Sequence, residues 1–183
     1  RGLGDVYKRQ IEDVVKNKEL YGSTQAQVSI GGKAVEVAKV DDYTVKFKFA
    51  APNALYLENL ATPLGQHPTL FAKHYCSKFL PKYNTSIEAE AKAAGAASWT
   101  EFFRSKCGDI EIPSRWSNVD KPTLDPWVVK EPYSGGATRV VMTRNPYFWQ
   151  VDTEGNQLPY VDEINFGISQ DVESLMLNVI SCL

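Results

Sequence analysis

Apolar and polar residues alternate with the period of a half-buried β-strand over residues 43–49. Tyr43, Val45, Phe47 and Phe49 fall on one side, and Lys46 and Lys48 on the other. Upstream, Val35 and Val37 alternate with Glu36 and Ala38, Gly31-Gly32 reads as a tight turn, and Asp41-Asp42 reads as a second. Residues 26–49 are therefore expected to form antiparallel hairpins. Helical spacing precedes them: Ile11, Val14, Val15 and Lys18 share one face over residues 11–20, with Gly22 and Ser23 stopping the helix. After Ala50-Ala51-Pro52, a short helix could turn Leu55, Leu57 and Leu60 toward a core.

Residues 68–79 read as a helix with Pro68 in its first turn. Residues 85–94 have the composition of an exposed helix capped by Thr85 or Ser86 and ended by Gly95. Ser98, with Glu101 three residues on, is a capping box for residues 99–107. Residues 109–126 hold Pro113, Pro122 and Pro126 with few periodic apolars, so a subdomain boundary could lie there. The pattern then returns to β over 126–130, 138–143 and 160–168. Ser134-Gly135-Gly136 turns between the first two, and residues 152–159 turn before the third. Asp171 and Glu173 sit where a last helix begins, at its positive end.

A chain of 183 residues, 43% hydrophobic and 23% charged, is a globular composition for one domain or two small ones. A net charge of −2 gives nothing to draw nucleic-acid phosphate. There is no apolar run of about 18 residues for a membrane span, and no signal peptide is visible. The first ten residues, polar with two glycines and no clear period, are expected not to be native to the fold. The three cysteines, Cys76, Cys107 and Cys182, lack CxxC spacing. Cys76 and Cys107 could pair in an oxidising compartment or stand as separate thiols.

Candidate chemistry is sparse. His67, His74 and Cys76 do not converge, because His74 and Cys76 are two apart on a helix and diverge. Asp152, Glu154 and Asn156 offer oxygens as a calcium loop would, without the length or closing glutamate of an EF-hand; a hairpin loop with Gly155 at positive φ is the plainer reading. Gly31-Gly32-Lys33 lacks phosphate-loop spacing, and no Ser-His-Asp or Cys-His motif is present. The expectation is therefore not an enzyme, with no metal and no cofactor.

The informative block runs from Pro122 to Ile180. It contains PTLDPWVVKEP, RNPYFW at 144–149 and DTEGNQLPYVD at 152–162, then a helix beginning DVESLMLNVIS. These motifs resemble extracellular solute-binding proteins of family 5, and VEVAKVDDYTVKFKFAAP is similar to that family's upstream hairpin. The resemblance implies an α/β chain, part of a type II periplasmic-binding fold with mixed sheets, hairpins and flanking helices. It implies that residues 11–121 belong to an extra subdomain of lobe I and that 122–183 re-enter lobe I. The family motif continues differently after Ser181, so the C-terminus is expected to be truncated, with the second lobe missing.

The implied function is the receptor of an ABC importer. It would be extracytoplasmic and monomeric, take a peptide or oligosaccharide by lobe closure, and dock on a membrane permease. Trp116, Thr123, Asp125, Trp127 and Tyr133 are the candidate ligand-facing residues; Trp127 could equally be core of its strand. Arg144, Asn145, Pro146, Tyr147, Trp149 and Gly155 are structural-motif residues. Asn145-Pro146 turns the chain, Tyr147, Phe148 and Trp149 pack, and Arg144 pairs with a carboxylate or caps carbonyls.

Overall fold

The alternating stretch at 43–49 forms a strand because its turn is held at both ends. Asp41 Oδ1 accepts the Tyr43 N–H at 2.7 Å, and β3 (Glu36–Lys39) pairs antiparallel with β4 (Val45–Lys48). Their register puts Val37 opposite Phe47 and Lys39 opposite Val45. In the computed structural model, residues 8–22, 28–62, 65, 70–108, 114–169 and 171–181 are described. The chain divides into two compact units. Unit 1 is Arg1–Ile110 with Lys121–Thr123, and unit 2 is Glu111–Asp120 with Leu124–Leu183.

In unit 1 the expected helix over 11–20 is two pieces. A π-helical turn, Gln10–Val15, is followed by α1 (Lys18–Tyr21). Asn17 divides them: its side chain accepts from the N–H groups of Glu19 and Leu20 at 2.9 and 3.3 Å and so starts a new helix. Gly22 ends it at φ 67, and Ser23 lies outside the described residues. The π-helical turn serves two apolar clusters. Val14 enters the one built from helices, while Ile11 and Val15 join Val28, Val35 and Val37 beneath the hairpins. Arg9 and Gln10 are buried as well: Arg9 Nη2 donates to the Phe71 carbonyl at 2.6 Å, and the Phe71 N–H donates to Gln10 Oε1 at 3.0 Å. The first short hairpin, β1 (Ser29–Ile30) with β2 (Lys33–Ala34), turns through Gly31 and Gly32 at φ 56 and 72. Two successive positive φ values suit glycine there.

Contrary to the expectation, helix α2 (Tyr56–Leu60) does not carry its leucines inward. Tyr56 packs edge-on against Phe49 at 4.7 Å, which leaves Leu55 and Leu57 pointing out and Leu60 partly so. The helix expected over 68–79 reduces to α3 (Lys73–Cys76) and a 3-10 turn, Ser77–Phe79. It stops because Leu80, which precedes Pro81, is extended at ψ 133. Pro68 and His67 lie outside the described residues.

Helix α4 (Ile87–Ala93) is not fully exposed, since Ile87 and Ala91, one turn apart, are buried. Ser86 is its N-cap residue but makes no side-chain cap bond; Asn84 fixes the turn into the helix instead, its Oδ1 accepting the Ser86 N–H at 3.0 Å while Nδ2 donates to Glu90 at 3.1 Å. At α5 (Trp99–Cys107), Ser98 Oγ accepts the Glu101 N–H at 3.3 Å, and Glu101 reaches back to the Ala97 N–H at 2.7 Å. Phe71, Phe102 and Phe103 complete the core, and a Cys76–Cys107 disulfide crosses it. The structure thus brings the two cysteines together as a pair.

Unit 2 is a three-stranded antiparallel sheet in the order β5 (Trp127–Glu131), β6 (Arg139–Arg144), β7 (Glu163–Gly167). Trp127 pairs with Arg144 and Val129 with Met142, while Val140 and Met142 pair with Phe166 and Ile164. These residues share one face, because side chains alternate along a strand. The opposite face carries ion pairs, Lys130–Glu163 at 3.0 Å and Arg139–Glu131 at 2.8 Å. Helix α6 (Val172–Ile180) follows, capped by Asp171, whose Oδ1 accepts the Ser174 N–H at 2.6 Å. No helix among the described residues is long and apolar enough to cross a membrane.

Candidate functional site

Four of the five ligand-facing candidates come from unit 2, Asp125 and Trp127 at the start of β5 and Trp116 and Tyr133 joined to each other beyond its end. A 3-10 turn, Ser114–Trp116, presents Trp116, whose ring stacks on Phe166 at 5.2 Å and 19°. The Trp116 carbonyl accepts the Tyr133 N–H at 3.0 Å, so the turn is tied to the residues that follow β5. Arg115 holds Asp125, with Nη2 at 3.1 and 3.3 Å from the two carboxylate oxygens. Trp127 is half-buried, and its Nε1–H donates to the Val161 carbonyl at 3.3 Å. Tyr133 is half-buried too. Thr123 belongs to unit 1.

The segment 125–127 is held in place from β6. Asn145, nearly buried, donates from Nδ2 to the Asp125 carbonyl at 2.9 Å and from its backbone N–H to the Pro126 carbonyl at 2.8 Å. Its Oδ1 accepts the Tyr147 N–H at 3.0 Å, which sets the turn at Pro146. Arg144 lies 3.7 Å from the Asp162 carboxylate. The arrangement can present aromatic surface and a fixed, neutralised carboxylate to a polar, ring-bearing or peptide-like solute.

Two of the RNPYFW aromatics do not pack within this chain. Tyr147 is 91% exposed and Trp149 75%, and Phe148 is half-buried. β6 ends at Arg144, so these residues follow the strand in the turn at Pro146. Gln157 Nε2 fastens this turn by donating to the Pro146 and Phe148 carbonyls, both at 2.8 Å.

The loop at 152–159 spends its oxygens internally. Asp152 accepts from the N–H groups of Glu154 and Asn156, from Asn156 Nδ2 at 3.0 Å and from the Tyr160 hydroxyl at 2.6 Å. These bonds, the Tyr160 hydroxyl's first and Asn156's next, lower the Asp152 carboxyl to about 2 and raise the Tyr160 phenol. Gly155 turns the loop at φ 86. Among the described residues no three His, Cys, Asp or Glu side chains converge as a metal-ligand set.

Sequence reasoning missed Arg115, Phe166 and the Asp152–Tyr160 pair. Arg115 lies ten residues from Asp125 in a stretch without periodicity, so only its opposite charge pointed to it. It also missed an open hollow of about 540 Å³ in unit 1, lined by Phe47, Phe49, Tyr56 and the Ala50–Asn53 turn. The signal for that hollow was available in the aromatic alternation of β4.

The profile of bacterial extracellular solute-binding proteins, family 5 Middle, matches residues 5–181. A periplasmic alpha-galactoside-binding protein of Rhizobium meliloti is 28% identical over 90% of this chain and 21% of its own length. A probable ABC transporter-binding protein of Deinococcus radiodurans is 26% identical over 86% of this chain and 23% of its own. The structure of the oligopeptide-binding protein OppA superposes with a TM-score of 0.77 and 33% identity, covering 97% of this chain and 26% of that one. The periplasmic binding protein MelB of Agrobacterium fabrum, solved with stachyose, matches in fold at a TM-score of 0.53 and 22% identity, over 90% of this chain and 21% of that one. The mixed α/β architecture is thus part of a type II periplasmic-binding fold, as the motifs implied. The chain spans about a fifth of the length of these curated relatives.

Proposed function

Because the chain belongs to the bacterial extracellular solute-binding proteins of family 5, we propose that it forms part of the substrate receptor of an ABC importer. The receptor binds oligopeptides or oligosaccharides by closure of two lobes and delivers them to a membrane permease, acting as an extracytoplasmic monomer. Members of the family are binding proteins, and this chain carries no catalytic step. Residues 11–121 form an extra subdomain of lobe I, and 122–183 re-enter that lobe.

The observation that carries this reading is the surface of unit 2. Helix α6 is apolar on several sides, with Val172, Leu175, Met176, Leu177, Val179 and Ile180 all exposed. An apolar stripe this wide on a helix belongs against a core, and exposed apolar patches of this kind mark places that other chain covers. In a receptor of the relatives' length, the remaining chain supplies that cover. Trp116, Asp125, Trp127 and Tyr133, with Thr123 beside them in sequence, face the ligand.

Calorimetric titration of such a receptor with oligopeptides and with α-galactosides tests the reading. Saturable binding of one class is expected, weakened at least tenfold by Trp127→Ala with folding intact. Turnover of either class, or binding of neither, contradicts it.

A further inference from the structure

We propose that the Cys76–Cys107 bond is a redox lock on the helical half of unit 1, which reaches full stability only once the chain has met an oxidising compartment. Both cysteines are completely buried, and their Cα atoms lie 5.8 Å apart, within the span a disulfide bridges. The bond joins α3 to the last residue of α5. Helix α3 is a single four-residue turn, too short to hold its own shape. Its place rests on aromatic contacts around it, Phe71 on Phe103 at 5.7 Å and Phe79 on Phe102 at 5.6 Å, and on the covalent link.

The two sulfurs are 31 residues apart in sequence, and the loop they close contains α4 and nearly all of α5. Cross-linking a loop of that length removes much of the unfolded chain's freedom, so the link matters most where the local helices are short. Reduced, the two thiols still fit as small apolar groups. The reduced half therefore folds but is held loosely. Cytosolic thiol buffers keep it in that state, and an oxidising compartment does not.

Closure needs an oxidant of the disulfide class. One cysteine, as thiolate, attacks a sulfur of that disulfide and expels a thiol. The second cysteine then attacks the mixed disulfide, forms the Cys76–Cys107 bond and releases the other thiol. The two thiols of the protein lose two electrons and two protons, and the oxidant leaves as two thiols. Once buried, the bond is shielded from further exchange. The inference depends on the extracytoplasmic reading only for where the bond forms in the cell.

Three cysteines allow three pairings, and the proposal selects one. The full chain, oxidised in vitro with glutathione disulfide, is digested without reductant and mapped by mass spectrometry; its melting is then followed by circular dichroism as oxidised and after unfolding, reduction and refolding in dithiothreitol. A cross-linked Cys76–Cys107 peptide is expected, together with a midpoint lower by about 10 °C or more in reductant. The same reductant should not move a Cys76→Ala/Cys107→Ala variant. Free Cys76 and Cys107 in the oxidised chain, a bond from either to Cys182, or a midpoint indifferent to reductant overturns the proposal. Thiols that stay reduced in cells, with the same stabilisation on oxidation in vitro, would overturn the localisation reading and leave the lock standing.

Discussion

Asn145 fastens the Asp125 backbone: its Nδ2 donates to the Asp125 carbonyl at 2.9 Å from a position only 4% exposed. One asparagine thereby joins the end of β6 to the residues that lead into β5, while Arg115 fixes the Asp125 side chain from the other direction. The ligand-facing segment proposed above is pinned at backbone and carboxylate together.

Asn145→Ala removes two side-chain hydrogen bonds and leaves the Asp125 carbonyl without that donor. Loss of about 1–3 kcal/mol is expected in urea unfolding followed by circular dichroism. Asn145→Asp keeps an acceptor for the Tyr147 N–H but sets a carboxylate against the Asp125 carbonyl, and should destabilise at least as much. Stability unchanged in both variants would show that the contact carries no weight.

Asp152 predicts a pH effect of definite sign. Its folded carboxyl lies near about 2, below the ordinary 3.8. A depressed carboxyl contributes stability that is present above its unfolded value and is lost as pH falls through the folded one. The contribution should therefore fade between about pH 4 and about pH 2. Carboxyl NMR titration checks this directly, and Tyr160→Phe, which removes the largest cause, should move the Asp152 midpoint upward. A midpoint that does not move would assign the depression to the Asn156 and backbone donors instead.

Phe103 is completely buried against Phe71 in the helical core of unit 1. Phe103→Ala should cost about 3–5 kcal/mol, and Phe103→Leu clearly less, because the cavity left is smaller. Denaturant unfolding followed by fluorescence of Trp99, a nearly buried member of the same cluster, reads the difference.

The sequence made the strands legible where one face is apolar and the other is not. Lys46 and Lys48 between Val45, Phe47 and Phe49 permit a single register against β3. The helices were less legible because their limits are set by single local contacts. Asn17 splits one helix with its own side chain, Leu80 is stopped by Pro81, and Asn84, two residues before the N-cap Ser86, fixes the turn into α4. The candidate surface was visible as residue types, Trp116, Asp125 and Trp127, but not as partnerships. The stacking of Trp116 on Phe166 joins residues 50 positions apart, and nothing periodic links them. The pairing of Cys76 with Cys107 likewise depends on how α3 and α5 pack, which spacing alone left open.

Hydrogen exchange on α6 tests most directly whether this chain is one part of a larger receptor. The amides of Val172–Ile180 should exchange rapidly in the isolated chain, whose helix stands exposed, and should be protected by several orders of magnitude in a receptor of the relatives' length. Equal protection of these amides in both would mean that the segment completes its own interior, and it would contradict the receptor account.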